Sequence, residues 1–127
     1  MKRIRIALLF FVMGMVGSLG AAPTENIVIE ETAPASLKNI HWHERDGGWL
    51  FTCRFKVPSD NVILPVSHLE FTGFVVVEDE REVIWTKTKT ILRSKLDRDE
   101  LFVRVMIVDF PKEAEGMEIR FVNGPHS

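Results

Sequence analysis

The sequence predicts an all-β protein, a small two-sheet β-sandwich of immunoglobulin-like architecture with about seven strands. Apolar and polar residues alternate in several segments, which is typical of strands with one buried face and one wetted face. Turn-forming residues separate these segments at intervals of roughly 8 to 12 residues. No segment after residue 20 repeats apolar residues at helical spacing. A small closed β-barrel is the alternative that the same pattern allows.

Residues 1–20 have the composition of a secretory signal peptide. Three basic residues precede an apolar run at 6–16, and small residues follow at 17, 18 and 20–22. This order is typical of signal peptides, whereas a membrane anchor needs about 20 consecutive apolar residues. We therefore expect cleavage between residues 20 and 22 and export to the periplasm or the extracellular space. The mature chain is expected to have no integral membrane span.

The expected mature chain has the size and charge of one acidic domain. Removal of residues 1–20 leaves 107 residues, which is the length of a single domain. Residues 21–35 are predicted to form an N-terminal tail with an edge strand, and residues 36–127 a single β-sandwich domain. The remaining 13 basic and 18 acidic residues give a formal charge of −5. A chain of that sign has no general attraction for nucleic acid or for anionic membrane.

A strand predicted at 49–57 forms the centre of the core. Its odd-numbered residues are all apolar and share one face of the strand. They are Trp49, Phe51, Cys53, Phe55 and Val57. Because Cys53 is the chain's only cysteine, no internal disulfide can form. We interpret it as a small buried hydrophobic residue; a reactive thiol and an intermolecular disulfide are the alternatives.

Turn residues mark the elements around this strand. A short run at 26–30 lies between two prolines, which predicts an edge strand because proline is excluded from ladder interiors. Two adjacent glycines before Trp49 accept positive φ and predict a hairpin over 40–57. The segment 62–64 is stopped by a proline, so it is predicted to be an edge segment or a crossover.

Four further strands are predicted in the second half of the chain. They cover 69–77, 83–92, 101–110 and 117–121. Gly73 indicates a bulge in the first of them, or a close approach of another backbone. The charged residues between these strands are expected to lie in solvated loops.

The hairpin of 69–92 has two possible registers. A three-residue loop at 79–81 would turn Trp85 into the core, whereas a four-residue loop at 79–82 would place it on the outer face opposite Val76. We favour the longer loop, because a three-residue hairpin usually needs a glycine that this segment lacks. It predicts one outer patch that contacts a protein: Phe74, Val76, Trp85 and Lys87.

Two histidines are the candidates for a metal site. His41 and His43 share one face of a strand and could both reach one ion. Stable sites usually need three or four protein ligands, so we expect neither a tight metal site nor a cofactor. No serine lies in a nucleophile motif, no glycine-rich phosphate loop is present, and the acidic residues cluster in turns. No catalytic residue is therefore predicted.

These observations favour a small exported, non-enzymatic protein that acts through protein–protein contact. It would be an accessory, assembly or inhibitor-like module of the envelope or periplasm, with another protein or a second copy of this chain as its partner. The alternative is a carrier of a small molecule or a metal ion that uses the face of His41 and His43.

Overall fold

The computed structural model describes residues 22–30, 34–58 and 63–124. The predicted signal peptide at 1–20 lies outside these residues, and so does Val62. The described residues form seven strands and one 3₁₀ turn at Arg93–Lys95. The strands are β1 Ile27–Glu30, β2 Ser36–Arg45, β3 Gly48–Lys56, β4 Val66–Val77, β5 Glu80–Leu92, β6 Glu100–Val108 and β7 Gly116–Val122.

The strands form two sheets. The four-stranded sheet has the order β1-β7-β4-β5, and the three-stranded sheet has the order β2-β3-β6. β1 runs parallel to β7, and the other neighbouring pairs are antiparallel. The predicted all-β sandwich is confirmed, and the described strands do not close into a barrel. Four and three strands are the layers of an immunoglobulin constant domain, but the strand order differs, so the likeness is one of architecture.

The inner face of β3 lies at the centre of the core, as predicted. Phe51, Cys53 and Phe55 are fully buried. The ring centroid of Phe51 lies 5.1 Å from that of Phe71 in β4, and the centroid of Phe55 lies 5.1 Å from that of Phe121 in β7. Because β4 and β7 belong to the four-stranded sheet, these aromatic pairs join the two layers.

Cys53 is expected to be chemically inert in the native protein. Its burial raises the pKa of the thiol to about 12. The pKa of a thiol in an unfolded chain is about 8.5. A thiol reagent should therefore label the protein only after unfolding, because the thiolate is the reactive species. The folded state keeps a proton that the unfolded state loses, so the thiol's contribution to stability should fall as pH rises from about 8.5 toward 12.

A Cys53→Ala variant is the control for the expected loss of stability at alkaline pH. It should be less stable than the natural protein at neutral pH because it leaves a cavity, yet its stability should fall less steeply above about pH 9. Rapid labelling of Cys53 in the folded protein would show that the inner face of β3 is accessible.

The β4–β5 hairpin has a register that neither predicted loop produces. Val77 pairs with Glu80, so the loop consists of the two residues Glu78 and Asp79. Their φ angles are 53° and 69°, as a two-residue hairpin of the tight type requires. Both the three-residue and the four-residue loop predictions are therefore wrong. A turn without glycine can still be this tight, because residues such as Glu78 and Asp79 can adopt the left-handed conformation.

A bulge in the hairpin decides where Trp85 lies. Phe74 and Gly73 are adjacent in β4, but their partners in β5 are Val83 and Trp85, so Ile84 is an extra residue. The ladder thus changes register at Gly73, where a bulge was predicted, but the extra residue lies in the partner strand β5 and not in β4. A bulge shifts the alternation of side chains along the strand, and Trp85 consequently packs against the core from the inner face.

Candidate functional site

The structure does not bring the predicted contact patch together. Phe74 lies on the outer face of the four-stranded sheet and is only 1 % exposed. Trp85 packs against the core from the opposite face of that sheet. Lys87 is paired with Phe71, whose side chain is in the core, and Val76 is half-buried. The four residues therefore do not form one apolar surface, because the register that would have joined them is absent.

Phe74 is buried on an outer face because its neighbours cover it. Gly116 of β7 lies so close that a Cβ there would come within 2.5 Å of the Phe74 ring. Arg81 of β5 lies over the ring at 4.4 Å from its centroid and forms an ion pair with Glu118 at 3.3 Å. The backbone of Gly116 and the guanidinium of Arg81 therefore cover the ring, so Phe74 is not accessible to a partner.

Charged side chains continue across the outer face of this sheet. The Arg120 Nε group donates to Glu70 Oε1 at 2.9 Å. Burial raises the pKa of Glu118, a hydrogen bond with Glu30 acts in the same direction, and the charge of Arg81 opposes both. The charged side chains on this side of the sheet therefore pair with one another. The candidate binding site lies on another part of the molecule.

His41 and His43 share the outer face of β2, as predicted. Their ring centroids are 6.2 Å apart, the ring planes are inclined by 32°, and both residues are exposed. Trp42 between them packs inward on Phe51, with the ring centroids 5.0 Å apart. In the part of the chain that the structure describes, no group of three or more histidine, cysteine or acidic residues is placed to hold a metal ion.

We expect the two histidines to bind zinc weakly, because only two imidazoles are assured to the ion and stable sites use more ligands. Calorimetric titration of the mature protein with zinc measures the affinity, and His41→Ala is the matched control. A submicromolar site that disappears in His41→Ala would instead support a metal carrier.

Four of the seven strands that the structure describes lie at sheet edges, and three of these four have features that hinder pairing with another chain. β1 has only 4 residues. β2 changes register between Lys38 and His41, which interrupts its ladder. β5 carries the bulge at Ile84 and presents Lys87 and Lys89 opposite core residues of β4, so that charges point toward the inner side of the strand.

β6 is the one edge strand among the described residues that lacks these features. Its pairing with β3 continues through nine consecutive residue pairs without a bulge. It contains neither proline nor lysine, and seven of its nine residues are apolar. Phe102 and Val108 project outward and are 59 % and 45 % exposed. The free edge of β6 therefore presents backbone donors and acceptors between exposed apolar side chains.

An open cleft of about 490 Å³ lies beside the first half of β6. Leu101 and Phe102 of β6 form its apolar wall, and Arg104 follows on the same strand. Lys89 of β5 and Lys95 of the 3₁₀ turn line the opposite side, and none of the described residues in the lining is acidic. An apolar strand edge and three cations thus meet on one side of the sandwich.

Part of this site could be predicted from the sequence. The sequence placed Phe102 and Val108 on the face of a strand opposite its core residues, because both have even numbers while the core residues have odd ones. It did not show that this strand lies at an edge. Edge position depends on the order of strands in the sheet, which side-chain alternation within one strand does not report.

Comparison of the chain with known protein families, curated proteins and solved structures found no match. Within the described residues, no helix has the length and apolar character that crossing a membrane requires.

Proposed function

We propose that this protein is an exported, non-enzymatic binding module that holds another protein by accepting one of its extended segments as an additional strand beside β6. Export is supported by the composition of residues 1–20. The observation that carries the binding mode is the contrast among the four edge strands that the structure describes, of which β6 alone is long, continuous and without lysine or an inward-pointing charge.

Strand addition suits the chemistry of this edge. An added strand forms main-chain hydrogen bonds with the free edge, and its alternate side chains meet those of the edge strand. β6 offers nine residues for such pairing. Phe102 and Val108 would then gain cross-strand neighbours and lose part of their exposure to water, which is favourable for apolar side chains.

The edge favours another protein over a second copy of this chain. In an antiparallel pair of two β6 strands with full overlap, the central residue Arg104 would face itself across the two-fold axis. Like charges directly opposite each other destabilise a sheet. Lys89 and Lys95 of both copies would also be brought toward the same interface. Charge repulsion thus opposes the self-paired arrangement with the most hydrogen bonds.

A photo-crosslinking experiment tests this proposal. A benzophenone amino acid is introduced at Phe102 in the full chain, and the variant is produced in cells of the native host. The matched control carries the same amino acid at Val83, which is 56 % exposed on the bulged edge strand β5. We expect a discrete adduct from position 102, with the crosslink confined to one segment of a second protein, and none from position 83.

Three results would contradict the proposal. An adduct of twice the chain mass would indicate self-association, and equal adducts from both positions would indicate contact without preference for β6. The absence of any adduct from position 102 would show that the β6 edge is not a contact surface in the cell.

A further inference from the structure

We infer that the segment bound beside β6 is acidic, with carboxylates and apolar residues that alternate along each face of the added strand. This inference rests on the proposed function and specifies the chemistry of the partner. It follows from the charges around the cleft and from the alternation of side chains along β6.

The cations around the cleft are available to a partner. Lys89, Lys95 and Arg104 are exposed, and none of them forms an ion pair with another of the described residues. The nearest carboxylate on β6 itself is that of Glu100, which is already engaged by Arg54 at 3.0 Å and by Lys56 at 3.6 Å. The cleft therefore presents three cations that form no ion pair with the residues that the structure describes.

The order of side chains along β6 specifies where the acids would lie. Phe102, Arg104 and Met106 alternate on the outward side of the strand. A paired strand places its own side chains directly opposite them on the same side. One carboxylate would therefore face Arg104, with apolar residues opposite Phe102 and Met106. A second carboxylate on the other side of the added strand would point toward Lys89 and Lys95 across the cleft.

The inference can be tested with synthetic peptides as long as β6. The first peptide repeats two valines followed by two glutamates, so that valine and glutamate alternate along each face of the strand. The second peptide has lysine in place of every glutamate. Fluorescence anisotropy measures their binding to the mature protein, and hydrogen exchange locates it. We expect the acidic peptide to bind about tenfold more tightly than the basic one, since each exposed ion pair contributes a modest amount. Its affinity should fall as salt is added, because exposed charges are screened.

Charge reversal provides the second arm of the experiment. The double variant Lys89→Glu with Arg104→Glu should lose affinity for the acidic peptide by about tenfold and gain affinity for the basic one. The matched control is Lys38→Glu, an exposed charge on β2 at the other edge of the three-stranded sheet. It should leave the preference for the acidic peptide unchanged.

The possible failures are distinguishable. If both peptides protect the β6 amides equally, the acidic partner is excluded while strand addition stands. If the acidic peptide fails to bind, or if its preference survives the double variant, the inference is overturned. The photo-crosslinking result at Phe102 is independent of peptide charge and tests the proposed function separately.

Discussion

Replacement of Phe55 by alanine is expected to lower the free energy of unfolding by about 3–5 kcal/mol. The side chain is fully buried on the inner face of β3. Its ring contacts Phe121 of the opposite sheet, with the centroids 5.1 Å apart, so truncation leaves a cavity between the two layers. A loss of this size is a large part of the stability of a small domain. Urea denaturation followed by tryptophan fluorescence measures it.

Phe102→Ala is the matched control for this substitution. It removes the same side chain from β6, where the ring is largely exposed, and it should change the unfolding free energy by no more than about 0.5 kcal/mol. Similar losses of unfolding free energy for the two variants would mean that the inner face of β3 does not lie at the centre of the core.

The second large effect is expected for Gly48→Ala. Gly48 pairs with Val108 at the end of β6, and a Cβ at this position would overlap the backbone oxygen of Ile107. Because that oxygen belongs to the neighbouring strand, relief requires movement of backbone. We expect a loss of about 1–3 kcal/mol in unfolding free energy, as for other overpacked sites. Faster amide exchange at 105–108 should accompany it.

Gly47→Ala, one residue earlier, separates this steric effect from backbone strain. Gly47 has a φ of 75° and open space around it, so alanine there should cost about 1 kcal/mol through the left-handed conformation alone. Exchange along β6 should stay unchanged in this variant. If both variants loosen β6 equally, the close approach of Gly48 to Ile107 is not what holds this end of the strand.

Much of the fold could be predicted because the chain follows simple alternation. The inner face of β3 was correctly predicted from its odd-numbered apolar residues, and the β2–β3 hairpin from the glycines that precede Trp49. Both features depend on local rules, namely the two-residue period of strands and the conformational freedom of glycine.

The four residues of the predicted contact patch do not lie together, and the reason is again the local geometry of the chain. Glu78 and Asp79 form a tighter turn than the absence of glycine suggested, and the extra residue Ile84 moves Trp85 to the inner face. Gly73 indicates an irregularity in its own strand, but it does not report that the extra residue lies in the opposite strand. A one-residue shift changes the face of every side chain beyond it, so a correct set of strands still gave a wrong surface.

The candidate edge could not be located by the same means. Among the described strands, β6 pairs with β3 alone, which leaves the backbone groups on its other side without a strand partner. Which strands pair is decided by packing across the whole domain. The sequence provides the apolar character of β6, and the strand order provides its position.

Amide hydrogen exchange of the mature protein, free and with the acidic peptide bound, tests the central claim most directly. In the free protein, alternate amides along 101–108 should exchange rapidly, because an edge strand bonds on one side only. On binding, those amides should become protected, while the amides of β5 at 83–89 and those of β1 stay unchanged. Protection of β5 with β6 unchanged, or β6 amides that are already fully protected in the free protein, would contradict strand addition at β6.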